Sequence, residues 1–178
     1  MNKWIATCLA AVFCIGAGSL PASASVTDEV KKTVDQVVSI VSDDNLKKPR
    51  NEAKRRAALK SAIGGIFDYG EMAKRSLGVN WKGRSKAEQK EFVDLFATLL
   101  ENSYAGKIES YENQKIVYDK ESIDGNYAEV KSRIVTAKRD EYTLDYRLMK
   151  EGNRWMVYDV VIEGVSLVSN YRSQFNKI

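Results

Sequence analysis

Apolar residues along this chain follow two regimes, recurring every three or four positions up to about residue 110 and alternating after it. From Val26 to Ser42 the positions Val30, Val34, Val37, Val38 and Val41 share one face of a helix that Ser25 or Thr27 can cap. Pro49 and Asn51 mark the next start, and Ala53, Ala57, Ala58, Ala62, Ile63 and Ile66 trace a second helix whose end Gly64 and Gly65 weaken. Asp68-x-x-Glu71 reads as a capping box opening a short helix through Met72, Ala73 and Leu77, which Gly78 closes in a left-handed conformation. A second box, Ser85-x-x-Glu88, opens the longest helix, where Phe92, Leu95, Phe96, Leu99, Leu100, Ser103 and Tyr104 form one broad face reaching toward Ile108 and Tyr111.

Past Gln114 the period falls to two and turn residues arrive regularly. Gln114 to Ser122 is the first predicted strand, and Asp124-Gly125-Asn126 turns it into a second from Tyr127 to Ala137. Arg139-Asp140 leads to a third, where Tyr142, Leu144, Tyr146 and Leu148 alternate with Thr143, Asp145, Arg147 and Met149. Glu151-Gly152-Asn153 then turns into a fourth from Arg154 to Ile162, Gly164 ends the meander, and Val165 to Phe175 is a short helix or turn. The expected fold class is α+β: N-terminal helices packed around a curled four-stranded antiparallel sheet.

The first residues belong to neither regime. Lys3 precedes an apolar run from Trp4 to Leu20, followed by Pro21 and the small-residue site Ala22-Ser23-Ala24. That is the pattern of a secretory signal peptide over residues 1–24, too short and too rich in Ala and Gly for a membrane span. The expected mature protein is a single soluble domain over residues 25–178, exported to the periplasm. Cys8 and Cys14 lie within the leader, and neither has the context of a lipoprotein cysteine, so no disulfide, thiol nucleophile or lipid anchor is expected.

Charge narrows the partners. The chain has 28 Lys and Arg against 24 Asp and Glu, interspersed rather than gathered, which argues against a nucleic-acid binder. Lys47, Lys48 and Arg50 with Lys54, Arg55 and Arg56 form one basic cluster, readable as a solvated helix start or as a contact for anionic headgroups or a partner.

Chemistry is limited by what is missing. The chain has no histidine, and it lacks G-x-S-x-G, S-x-x-K and a phosphate-binding glycine loop, so the usual hydrolase machinery, metal centres and cofactor sites are not expected. Carboxylate and tyrosine chemistry survives as one alternative, since Asp145 or Asp159 with a tyrosine on a cone-shaped α+β fold could act as an isomerase base. Pairing of those carboxylates with Arg147 or Arg133 is the plainer reading. A non-catalytic adaptor is a further alternative.

The large side chains carry a resemblance. Phe67-Asp68-Tyr69 with Met72-Ala73, then Leu77-Gly78, Trp81, Phe92-x-x-x-Phe96-x-x-Leu99-Leu100-x-x-x-Tyr104, and the block Tyr158-Asp159-Val160-Val161-Ile162-Glu163-Gly164-Val165-Ser166-Leu167 with Tyr171-Arg172 and Phe175 resemble the MlaC family. The resemblance runs from about Thr27 to Phe175. It implies a periplasmic phospholipid-binding carrier, not an enzyme, with lipid as cargo and no cofactor. It also implies two partners: an inner-membrane ABC transporter with a substrate-binding ring and an outer-membrane lipoprotein-porin complex. A monomer is expected.

The resemblance further implies a deep apolar pocket, with Tyr104 and Val165 at motif positions near it. Candidate lining residues come from three stretches. The middle of the chain supplies Phe67, Met72, Leu77 and Trp81, and the long helix Phe92, Phe96, Leu99, Leu100, Tyr104 and Ile108. The last strands and the residue after them supply Leu144, Tyr146, Leu148, Trp155, Val157, Val161 and Val165. Composition alone does not separate pocket from core among such residues.

Overall fold

The computed structural model describes residues 25–177, so the expected leader lies outside the described residues. Helix α1 (Val26–Ser42) starts from a full capping box, the Asp28 N–H donating to Ser25 Oγ and the Ser25 N–H to the Asp28 carboxylate, both at 3.1 Å. A 3-10 turn over Pro49–Asn51 leads into α2 (Glu52–Gly64). Helix α3 (Tyr69–Leu77) is capped by Asp68, which accepts the Glu71 N–H at 2.8 Å. The reciprocal half of that expected box is not made, because Lys74 and Arg75 hold the Glu71 carboxylate at 2.9 and 2.8 Å. Gly78 closes the helix at φ +58°, where a side chain would be strained. Helix α4 (Lys86–Glu109) starts from the Ser85/Glu88 box and runs for 24 residues.

Four long strands follow: β1 (Lys115–Asp124), β2 (Tyr127–Val135), β3 (Glu141–Glu151) and β4 (Arg154–Ile162). A short fifth, β5 (Val165–Ser166), pairs with Val161 and Ile162 before α5 (Leu167–Phe175). The antiparallel sheet is therefore five-stranded, in the order β1-β2-β3-β4-β5, where the alternation pattern implied four. Two residues are too few to show a period. Glu163 and Gly164, at φ 49° and 76°, make the tight reversal that returns the chain to the sheet.

Two bulges curl the sheet. The register skips Asp119 in β1 and Tyr158 in β4, and an extra residue on one strand bends it and increases its twist. Beside the second bulge the connection into α3 covers the exposed edge of β4. There the Val157 N–H donates to the Ile66 carbonyl at 2.7 Å, and the Asp68 N–H to the Val157 carbonyl at 2.9 Å.

Packing divides the molecule. Val26 and Val30 of α1 press on Ala128, Val130, Leu148 and Val157, closing one end of the concave sheet face. A second cluster joins α3, α4 and α5 through Met72, Ala73, Phe96, Leu100, Val168 and Tyr171. Asp159, 3 % exposed, fastens α5 to β4: it accepts the Val168 N–H at 3.1 Å and the Ser166 hydroxyl at 2.6 Å, with Arg147 Nη1 at 3.2 Å.

Candidate functional site

Val30 stands both in the core beneath α1 and on the wall of a space beyond it, and at the other end of the concave face nothing plays the part of Val26. A cavity of about 600 Å³ opens there. Its roof is α1 from Val30 onward, where Val34, Val37, Val38 and Val41 continue the stripe that begins in solid core at Val26. Ala57, Leu59 and Ile63 of α2 form one side, and Leu100, Tyr104, Ala105 and Ile108 of α4 another. The floor is the sheet: Ile116 from β1, Ile134 from β2, Tyr142, Leu144 and Tyr146 from β3, Val157, Val160 and Ile162 from β4. Ile66, Phe67, Met72 and Leu167 complete it. The wall is aliphatic and aromatic over most of its extent, and a cavity of roughly 300–1,000 Å³ takes a sizeable small molecule.

Charge on the lining is limited to Arg56, Lys60, Glu101 and Lys107. Lys60 Nζ lies 3.0 Å from the Glu101 carboxylate, Arg55 and Arg56 reach Glu109 at 3.2 and 3.8 Å, and Arg56 also pairs with Glu52 at 3.0 Å. These pairs join α2 to the second half of α4. They also account for Arg55 and Arg56 of the basic cluster, whose remaining members, Lys47, Lys48, Arg50 and Lys54, are exposed.

Tyrosine hydroxyls supply the other polar groups. Burial, with Glu101 adding to it, pushes Tyr69 up to about 12; burial also raises Tyr104, with a contribution from Tyr171, and Tyr146. All three stay protonated at any physiological pH and keep a hydroxyl proton free to donate.

Eight of the expected lining residues meet at this cavity: Phe67, Met72, Leu100, Tyr104, Ile108, Leu144, Tyr146 and Val157. The other nine do not reach it. Phe92 and Phe96 lie on the half of α4 that packs on α5, with Phe92 against Phe175 and Phe96 against Tyr171, each at 5.4 Å between centroids. Leu77 ends α3 and Trp81 precedes α4, whose cavity positions begin at Leu100, about 20 Å along the helix from its start. Leu99 points outward, 39 % exposed. Leu148 is fully buried in the solid end of the sheet, and Trp155 packs beside it. Val161 alternates with Val160 and so faces away from the cavity. Val165, after the reversal, is 55 % exposed. The residues that sequence reasoning passed over include Ile116, Ile134, Tyr142, Val160 and Ile162 of the sheet and Leu167 of α5, and above all those on α1 and α2. Their spacing was visible, but apolar helix faces next to a charged cluster read as ordinary packing.

The carboxylates that an isomerase would use are not on this wall. Asp159 is tied into the α5 junction, and Asp145 accepts the Ser132 N–H at 3.2 Å. Among the described residues no group of three or more His, Cys, Asp or Glu could hold a metal ion, and no helix is long and apolar enough to cross a membrane.

Comparison with known proteins brings the same cavity-bearing architecture into view. The phospholipid-binding protein of Ralstonia solanacearum, solved in complex with a phospholipid, superimposes with a TM-score of 0.78 at 28 % identity, covering 87 % of each chain. The intermembrane phospholipid transport system binding protein MlaC of Haemophilus influenzae is 33 % identical over 99 residues, 53 % of this chain and 46 % of the relative. Toluene tolerance protein ttg2D of Pseudomonas putida is 27 % identical over 120 residues, 66 % of this chain and 56 % of the relative. The matches thus span about half the length of these two curated relatives. The family model described as MlaC protein matches residues 31–178, nearly everything the structure describes, and this chain belongs to the MlaC family.

Proposed function

We propose that this protein is a periplasmic phospholipid carrier that encloses acyl chain in the cavity and performs no reaction on it. The observation that supports this reading is the cavity itself: about 600 Å³ with an apolar wall, on a fold shared with a protein solved in complex with a phospholipid. Burying a methylene is worth about 0.8 kcal/mol, so one chain of ordinary membrane length gains on the order of 10 kcal/mol over water. Spontaneous loss into water is therefore very slow. A bilayer offers a comparable refuge, so exchange depends on access to the cavity rather than on affinity for water.

In this reading the leader directs export, and the carrier works as a monomer. It moves lipid between an outer-membrane lipoprotein-porin complex and the substrate-binding ring of an inner-membrane ABC transporter. Native mass spectrometry and lipid extraction of the purified protein test the binding. Stoichiometric co-purified phospholipid is expected, and an empty protein that takes up none from vesicles overturns the proposal. Transfer of a fluorescent phospholipid to bare liposomes, compared with transfer to the ring subunit, tests the delivery. Equal rates would leave no role for the partner.

A further inference from the structure

Five tyrosines stand on the cavity wall: Tyr69, Tyr104, Tyr111, Tyr142 and Tyr146. Tyr111 donates to the Gln114 carbonyl at 2.9 Å, and Tyr142, 49 % exposed, is served by water. The hydroxyls of Tyr69, Tyr104 and Tyr146 have no hydrogen-bond partner among the described residues, although Tyr146 sits in the middle strand at 8 % exposure. These hydroxyls are open to the cavity and not sealed in the core, so water satisfies them while it is empty. An occupant that displaces that water without offering an acceptor costs about 1–3 kcal/mol per hydroxyl, so three of them on one mostly apolar wall favour an occupant that brings acceptors with it.

Hydrocarbon has none. The phospholipid reading, on which this inference rests, supplies two kinds: charged phosphate oxygens and the neutral ester carbonyls just below them. The rim separates these by chemistry. Arg56 and Lys60 are already engaged by Glu52, Glu109 and Glu101, whereas Lys107 has no carboxylate partner among the described residues. Its Nζ lies 5.5 Å from the centroid of the Tyr104 ring. A cation at the rim with a neutral donor directly beside it matches the order of polar groups along a glycerophospholipid, phosphate outside and ester inside. A neutral hydroxyl in an apolar wall suits the carbonyl, since a charged oxygen drawn that far in would lose its water without a counter-charge.

We propose that the hydroxyls of Tyr69, Tyr104 and Tyr146 donate to the ester carbonyls of the bound lipid, so that the site selects ester-linked over ether-linked phospholipid. The selection is for the linkage, not for the headgroup or chain length.

The test uses delipidated protein and two phosphatidylcholines of identical chain length, one diester and one diether, each displacing a fluorescent fatty-acid probe. Wild type is expected to prefer the diester about 30-fold or more, and each of Tyr69→Phe, Tyr104→Phe and Tyr146→Phe to weaken diester binding about 3- to 10-fold while leaving the diether unchanged. Equal affinity of wild type for the two lipids overturns the proposal, as does a preference that survives in the triple Phe variant. Binding of neither lipid, with the probe still held, instead overturns the phospholipid reading beneath it. Stability supplies a second readout. Removing a hydroxyl that has no protein partner should leave the Tm of the empty protein unchanged or raised, whereas a fall of several degrees would show a partner within the protein and refute the assignment.

Discussion

Replacing Val38 with Asp separates a lipid-holding wall from an ordinary core. Val38 is half-buried on the cavity roof in α1, whereas Leu148, on the concave face of the same sheet, is fully buried among packed side chains. In the empty protein an Asp at 38 faces solvent that enters the cavity, and the fold should lose only about 1–2 kcal/mol. Once acyl chain covers it, the carboxylate loses its water on a mostly apolar wall, at a penalty of several kcal/mol. Even 3 kcal/mol of that is roughly a hundredfold in affinity. Val38→Asn, with a similar shape and no charge, should lose much less. Leu148→Asp puts the same charge where no water reaches and should remove most of the 5–15 kcal/mol that holds a domain of this size together. Urea denaturation of the delipidated variants gives the stability, and displacement of a fluorescent lipid gives the affinity. A folded Val38→Asp protein that binds lipid like wild type would refute the placement of the ligand under α1.

Other expectations follow from residues outside the cavity. Phe96→Ala, at a 2 % exposed position in the α3–α4–α5 cluster, should cost about 3–5 kcal/mol by denaturation yet leave the lipid content of the folded fraction unchanged, as measured by extraction. Asp159→Ala should cost about 2–3 kcal/mol, because the Val168 N–H loses its acceptor, and hydrogen exchange should rise first in α5. Burial raises the Glu71 carboxyl, but the hydrogen bonds and charges of Lys74 and Arg75 outweigh it and leave it below the usual range. Its contribution is thus present at neutral pH and lost as pH falls through that lowered value. Glu71→Gln should therefore be less stable than wild type at pH 7, with the gap closing in acid, as read from Tm against pH.

Local chemistry made most of the fold legible. The helices capped by Ser25 and Ser85 and the four long strands were set by capping residues, turn glycines and clean changes of period, and they stand within a few residues of where the pattern puts them. The cavity was legible only in part, for a physical reason. An apolar helix face states that water is excluded, not what excludes it. Phe92 and Phe96 share a face of α4 with Tyr104 and Ile108, but the first pair meets α5 and the second an opening. Likewise the valine stripe of α1 is unbroken, and Val30 belongs both to the core and to the cavity wall, so the opening begins with no change of residue type. The bulge at Tyr158 and the two-residue β5 shift the last strand's contacts, which is why Val161 and Val165 fall elsewhere. No periodicity predicts a shift of one residue.

The size of the opening bears on how the protein lives when loaded and empty. Voids left in a packed core cost about 24 cal/mol per Å³, which for a space of about 600 Å³ would come to roughly 14 kcal/mol, as much as a whole domain has to spare. The cavity therefore cannot be a core that has merely lost its contents. Its walls must be held by bonds that do not cross it. The sheet holds its own floor through its ladders, and Val26 and Val30 pin α1 at the closed end. Thr27 fastens the same end, its N–H and hydroxyl both donating to Glu121 at 2.7 Å. Opposite, α4 is anchored by its first half on α3 and α5, and its second half meets α2 through the Lys60–Glu101 and Arg55–Glu109 pairs at the rim. The Lys60–Glu101 pair is partly exposed and worth little by itself, whereas Arg55–Glu109 is mostly buried and Arg55 also donates to the Leu46 carbonyl at 3.1 Å. The closed end is thus held independently of the contacts between α2 and α4, and in the proposed carrier reading a lipid enters between those two helices without unfolding the sheet.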